Sequence, residues 1–157
     1  MSEQTVIHNT FVLERSFTKA PERVFAAFSD PALKQRWFAE STSNHAVEKF
    51  ELDFRVGGLE ITQSRFGEGS PFPGVEMVNE ERFQDILPNQ RIVTASVMMI
   101  GGRRISASLV TVELLATDTG TDMLFTHQAA FFEGSDGPAM RQDGWNLLLD
   151  RLQKALA

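Results

Sequence analysis

Pro138-Ala139-Met140-Arg141-Gln142-Asp143-Gly144-Trp145-Asn146-Leu147-Leu148-Leu149-Asp150-Arg151-Leu152-Gln153-Lys154-Ala155-Leu156-Ala157 closes the chain. Its periodicity predicts the longest helix. Trp145, Leu148, Leu149, Leu152 and Leu156 recur at helical spacing and share one face. Arg141, Asp143, Asp150, Arg151 and Lys154 fall largely outside that stripe. Pro138 after Gly137 suits the first helical position, where a missing N–H costs nothing. Large apolar groups contribute roughly 1.5–3 kcal/mol each on burial, so such a stripe is worth on the order of 10 kcal/mol as an upper bound. It needs a broad apolar surface to cover. The middle of the chain offers one as a series of strands, and a helix laid over a sheet can leave a pocket between them.

Working outward, residues 123–132 read as the last strand and residues 133–137 as the loop into the helix. Before them, 105–115, 91–100, 75–86, 59–66 and 49–54 read as strands, and 11–17 as the first. Gly57-Gly58, Pro88-Asn89, Gly101-Gly102 and Thr117–Gly120 mark the turns. Short turns imply an antiparallel sheet. Between the first two strands lie a polar loop, Glu40 to His45, and two brief helices. The first starts at Ala20-Pro21-Glu22. The second is capped by Asp30 with Pro31 at its first position and ends near Arg36-Trp37-Phe38. Gly67 to Gly74 holds three Gly and two Pro, which predicts a mobile loop. The order β-α-α-β-β-β-β-β-β-α is an α+β pattern with the helices on one face.

Composition bounds the rest. A chain of 157 residues fits a single domain, here 1–157, with a real core. Net charge is −6 with no basic run, which excludes a general nucleic-acid binder. There is no Cys, hence no disulfide, thiolate nucleophile or Cys-ligated metal. Met1 to Thr10 is polar and lacks the apolar core of a signal peptide. No stretch reaches transmembrane length, so a soluble cytoplasmic protein without membrane insertion is the default expectation.

Several stretches, in order over nearly the whole chain, resemble one family: Ala20-Pro21-Glu22-Arg23-Val24-Phe25 with Asp30-Pro31 and Arg36-Trp37-Phe38; Asp53-Phe54-Arg55-Val56-Gly57-Gly58; Ile86-Leu87-Pro88 running into Arg91-Ile92-Val93; Thr111-Val112-Glu113; Gly120-Thr121; and Gly144-Trp145 with Leu149 and Leu152. The chain resembles the SRPBCC, or START-like, superfamily, in the branch related to the activator of the heat-shock chaperone ATPase. The resemblance implies a helix-grip fold, a curved antiparallel sheet of about six or seven strands around the C-terminal helix. The superfamily includes lipid and hormone carriers, aromatase/cyclases and the chaperone activator. The activator's own architecture is longer, with an additional N-terminal domain for which this chain has no room.

The chemistry-bearing residues are sparse. Gly134-Ser135-Asp136-Gly137 is a turn rather than a nucleophile elbow, and Gly67-Glu68-Gly69 lacks the third Gly of a dinucleotide loop. His8, His45 and His127 lie too far apart in sequence for metal-ligand spacing, so no metal or other cofactor is expected. Most carboxylates belong on solvated faces. His127 stands out because it alternates with Met123, Phe125, Ala129 and Phe131, a face that should point toward the final helix. It is a satisfied core histidine, or one near the strand end touching solvent, or it orients a ligand hydroxyl, carbonyl or carboxylate; a catalytic base is the remaining alternative, with no nucleophile or second titrating partner evident. Trp37 and Phe38 read as core aromatics, and the resemblance implies that they rim a pocket mouth. Ser106 and Ser108 share a face with Val110, Val112 and Leu114, leaving room at one end. Met77, Met98 and Met99 are adaptable fillers. Arg82, Arg103 and Arg104 belong on the surface unless one of them meets an acidic ligand.

The candidate cavity set is Trp37, Phe38, Met77, Met98, Ser106, Ser108, His127, Phe131, Trp145 and Leu149, with no catalytic residue among them. Three functions compete: binding of a hydrophobic small molecule, a chaperone-activator-like protein interaction, and a cyclase- or hydrolase-type enzyme using the same cavity. The absence of a reactive constellation points away from the enzyme. An exposed strand edge would permit a homodimer.

Overall fold

Alternating strands separated by tight turns can pair only with their neighbours, and that pairing builds most of the molecule. The structure, a computed structural model, describes residues 5–157. The elements run β1 (Ile7–Phe17), α1 (Pro21–Ser29), α2 (Pro31–Phe38), β2 (His45–Leu52), β3 (Leu59–Phe66), β4 (Glu76–Leu87), β5 (Arg91–Ile100), β6 (Arg103–Thr117), β7 (Gly120–Phe131) and α3 (Gly137–Ala155). All seven strands join one antiparallel sheet in the order β1-β7-β6-β5-β4-β3-β2. Strands β1 and β2 are its edges, so the α1–α2 bracket carries the chain from one edge to the other. The α+β helix-grip expectation holds.

Local chemistry explains the joints. Asp30 caps α2, its carboxylate accepting from the amides of Ala32 at 2.9 Å and Leu33 at 3.4 Å. Gly101 and Gly102 make the two-residue β5–β6 turn with φ of 59° and 77°, a conformation that costs glycine little. Gly120 has its Cα against β1: a Cβ there would lie 2.0 Å from the carbonyl oxygen of Phe17. Register shifts at Val47/Lys49, Phe83/Asp85 and Met98/Met99 interrupt the ladders. Such bulges bend their strands and deepen the curvature.

Several element bounds differ from the sequence reading. Strand β1 starts at Ile7, because Ile7 to Thr10 pair with Phe131 to Gln128 although they are mostly polar. Of the polar Met1–Thr10 segment, residues 1–4 lie outside the described residues. Strand β2 begins at His45, the expected end of the loop, and stops at Leu52 rather than Phe54. Backbone pairing, not hydropathy, sets these ends.

Helix α3 lies over the sheet as its apolar stripe requires. Leu149 and Leu152 are completely buried, and Leu156 is buried beside them in one cluster with Phe11, Leu13, Phe17, Met123 and Phe125. Trp145 and Leu148 share the stripe but are only half-buried. They were expected at the core, and the reason they are not is the space beneath them. No helix among the described residues is long and apolar enough to cross a membrane.

Candidate functional site

Between the sheet and the first half of α3 lies a cavity of about 260 Å³. Its roof is apolar and largely aromatic: Phe38 from α2, Trp145 and Leu148 from α3, and Phe66 with Phe72 at the β3–β4 loop. The Phe38 and Trp145 rings stack at 5.8 Å, and Phe66 and Phe72 meet at 5.7 Å. Exposed Pro71 and Met140 mark the rim. The Gly67–Gly74 segment therefore borders the cavity through Pro71 and Phe72.

The floor is different. On β3 the buried face carries Glu60, Thr62 and Ser64, while Leu59 and Ile61 on the other face are only half-buried. Cross-strand register extends this polar character. Glu60 on β3 pairs with Glu81 on β4, Glu81 with Ser96 on β5, and Ser96 with Ser108 on β6. The neighbouring row runs Thr62, Asn79, Met98, Ser106 and Phe131. An apolar roof over a partly polar floor is the usual composition of a small-molecule pocket.

Three charged groups are buried together behind one end of the floor, and of them only Glu81 reaches the lining. Lys34 of α2 reaches Glu60, with Nζ 2.6 Å from Oε1, and the two side chains are 8 % and 1 % exposed. The same ammonium lies 4.6 Å from the Phe38 ring centre. Burial, and next the negative charge of Glu60, push the Glu81 carboxyl well above the usual carboxylate range, although Lys34 opposes this. Glu81 also accepts from the Ser96 hydroxyl at 3.3 Å. With ordinary ionised carboxylates, Glu60 Oε2 has no partner among the described residues. A protonated Glu81 supplies one, because the two carboxyl groups then share a hydrogen bond.

At the other end stands Arg141, which the helical stripe placed off the apolar face. It is 6 % exposed. Its Nε donates to Asp136 Oδ2 at 2.8 Å and its Nη2 to Asp136 Oδ1 at 2.9 Å, a bidentate pair. Nη2 also donates to Ser106 Oγ at 2.9 Å, and the guanidinium sits 5.0 Å from the Phe131 ring centre. Burial alone would raise the Asp136 carboxyl, but the hydrogen bonds and charge of Arg141 hold it below its ordinary value. The expected turn at 134–137 falls one residue earlier, at Glu133–Gly134, with Ser135 and Asp136 leading into α3 at Gly137, and that aspartate is the partner that lets an arginine stay inside.

His127 is 1 % exposed, with its ring stacked 4.6 Å from that of Phe11 and 6.4 Å from that of Phe131. Among the described residues its Nδ1 has no hydrogen-bond partner. Burial, and next the positive charge of Arg141, depress its pKa to about 4, so the ring is neutral at physiological pH. Among the described residues no carboxylate orients the Nδ1 side, as a triad histidine requires.

Of the expected set, Phe38, Met77, Met98, Ser108, His127 and Trp145 line the cavity, and four residues do not. Trp37 is buried in the core, its indole N–H donating to the Ala27 carbonyl at 2.9 Å. Phe131 lies behind the Arg141 guanidinium. Ser106 is consumed by its bond to Arg141. Leu149 is one helical position too far round, and Leu148 takes the cavity side. Met99 is absent from the lining, and Arg82, Arg103 and Arg104 are exposed. Sequence reasoning missed Glu60, Glu81, Lys34, Asp136 and Arg141. Polar residues on the buried register of β3 and β4 were the available signal. Among the described residues no group of three or more His, Cys, Asp or Glu side chains is placed to hold a metal ion.

A seven-stranded sheet closed by a C-terminal helix over a partly polar cavity defines a helix-grip domain. The chain belongs to the family described as Activator of Hsp90 ATPase homolog 1-like protein, which matches residues 19–157. An uncharacterised protein from Rhizobium leguminosarum shares 36 % identity over 96 % of this chain and 95 % of its own, with a TM-score of 0.88. The Mll3558 protein from Rhizobium loti shares 41 % identity over 98 % and 100 %, with a TM-score of 0.85. A solution structure of an AHSA1-like protein from Aeromonas hydrophila, 24 % identical over 94 % and 91 %, shares the fold at a TM-score of 0.67. No functionally curated protein matches the chain.

Proposed function

We propose that this protein binds a compact hydrophobic molecule in the cavity between its sheet and α3. The observation that carries the reading is the cavity itself: about 260 Å³, just below the roughly 300–1,000 Å³ usual for drug-sized ligands and so suited to a smaller molecule, roofed by aromatic rings. A partly open space of that size, lined mainly by apolar side chains, forfeits packing that a solid core would have, so an occupant is stabilising. His127 lines that wall as a neutral imidazole. A hydroxyl or N–H of the bound molecule would hydrogen-bond to the ring nitrogen on the cavity side. The Gly67–Gly74 segment, at the rim through Pro71 and Phe72, is placed to admit the ligand.

Native mass spectrometry of the purified chain, with organic extraction of any retained material, tests the reading directly. Quenching or enhancement of Trp145 fluorescence by small aromatic compounds gives affinities, because Trp145 lines the cavity while Trp37 is buried in the core. Replacing His127 with Phe or Gln should weaken a ligand that uses it by about 0.5–1.5 kcal/mol, roughly two- to tenfold. Unchanged affinity in both variants would leave His127 with a structural role only. A protein-interaction role, of the kind the family's description names, is the second reading. It rests on the family match and would appear as stimulation of a chaperone ATPase that survives filling of the cavity.

A further inference from the structure

We infer that the cavity is built for a hydrophobic molecule carrying a basic nitrogen, its ammonium seated against Glu81. The inference rests on the cavity reading above and narrows its ligand class. It comes from a count of charges. Among the described residues that line the cavity or back its floor, the cations are Lys34 and Arg141 and the carboxylates are Glu60, Glu81 and Asp136. Lys34 is committed to Glu60 at 2.6 Å and Arg141 to Asp136 at 2.8 Å. His127 is neutral. One carboxylate, Glu81, is left without a cation in a place that is 7 % exposed.

A buried carboxylate without a counter-charge is costly, so Glu81 holds a proton instead. An ammonium group brings the missing charge. When it binds, the Glu81 carboxyl gives its proton to solvent and the resulting carboxylate accepts a charge-assisted hydrogen bond from the ammonium. One cation enters and one proton leaves, so the net charge of the site is unchanged. The Phe38 face, already turned toward the Lys34 ammonium at 4.6 Å, shows that this end tolerates cations against aromatic rings. A carboxylate ligand meets the opposite conditions. Both cations are already paired, and it would add a negative charge beside Glu81 and Glu60.

The groups that face Glu81 set the pH behaviour. They are Glu60 from β3, Lys34 from α2 and Ser96 from β5, with Arg141, Asp136 and His127 across the cavity. Deprotonation of Glu81 accompanies amine binding. Amine affinity therefore rises as pH rises through the raised pKa of Glu81 and levels off above it.

The test is calorimetric titration of the full chain with 2-phenylethylamine, 2-phenylethanol and phenylacetate in two buffers of different ionisation enthalpy. The expected order is amine, then alcohol, then acid. The amine should bind about tenfold or more tighter than the alcohol, as a charge-assisted bond implies. Below the pKa of Glu81 its binding should release about one proton, seen as a buffer-dependent enthalpy. Glu81→Gln should lose both the amine preference and the proton release, with its melting curve certifying the fold. Amine binding no tighter than alcohol, or an amine preference that survives in Glu81→Gln, overturns the inference while alcohol binding keeps the cavity reading. Failure of all three probes, with no extractable ligand, overturns both.

Discussion

Lowering the pH should destabilise this protein through His127, and replacing that residue with Phe should remove the effect. The unfolded chain takes up a proton on histidine near 6.5, whereas the folded chain holds His127 neutral down to about 4. Between those values the unfolded state binds more protons. The contribution is therefore fully present above 6.5 and is lost as pH falls toward the folded value. The whole interval corresponds to about 3 kcal/mol, with about 2 kcal/mol already lost at pH 5. For a chain of this size each kcal/mol moves the melting temperature by roughly 2–4 °C, so the wild type should lose about 4–8 °C at pH 5 from this residue alone. Other groups titrate nearby. His45 is also depressed, by burial and by Arg151, and acts in the same direction. The raised carboxyl of Glu81 acts in the opposite sense, its contribution fading as pH rises through its shifted range. Comparing wild type with His127→Phe at each pH cancels both. Phe keeps the ring stacked on Phe11, and it removes the unpartnered Nδ1. The variant should match or exceed the wild type at pH 7.5 and gain about 2 kcal/mol on it by pH 5, read from urea melts. Parallel loss of stability in the two proteins, within about 0.5 kcal/mol, would show that burial does not hold His127 neutral and would refute the reasoning.

Further outcomes follow from packing and pairing. Leu149→Ala removes a fully buried side chain from the α3 stripe and should cost about 2–5 kcal/mol in denaturant melts; a loss under about 1 kcal/mol would contradict the packing described. Arg141→Met strands Asp136 inside and should cost about 3–5 kcal/mol, while adding Asp136→Leu should recover most of it; equal cost in the single and double variants would argue against a coupled pair. The Gly67–Gly74 segment should exchange its amides faster than the strands it joins. Its turn-type bonds, such as Ser70 N–H to the Gly67 carbonyl at 3.1 Å, are local, and protection equal to that of β3 would rule out a mobile rim.

Periodicity along the chain determined the elements. Apolar spacing marked α3 and its inward residues Leu149 and Leu152, Gly and Pro marked the turns, and Asp30-Pro31 marked the start of α2. These are local properties, so they survive without knowledge of what lies opposite. His127 was legible for the same reason, because alternation alone placed its ring on the buried face of β7. What the ring lacks, a partner for Nδ1, depends on Phe11 and Phe131 closing around it and is a tertiary fact.

The charges at the site were not legible. Arg141 looks solvated on a helical wheel, and only the path of the chain from the Glu133–Gly134 turn into α3 brings Asp136 beside it. Lys34 and Glu60 are far apart in sequence, and Glu60 meets Glu81 only through the β3–β4 register. On β3 the face carrying Leu59 and Ile61 is the more apolar, yet the fold buries Glu60, Thr62 and Ser64. A strand's alternation fixes which residues share a side, but not which side meets the core; that is decided by the sheet's curvature and by the groups waiting across the gap. Whether a buried charge is tolerable likewise depends on a counter-charge from another element. The sequence by itself thus determined the frame of this protein, and only the tertiary structure decided the chemistry of its cavity, because electrostatic pairing acts through space while periodicity acts along the chain.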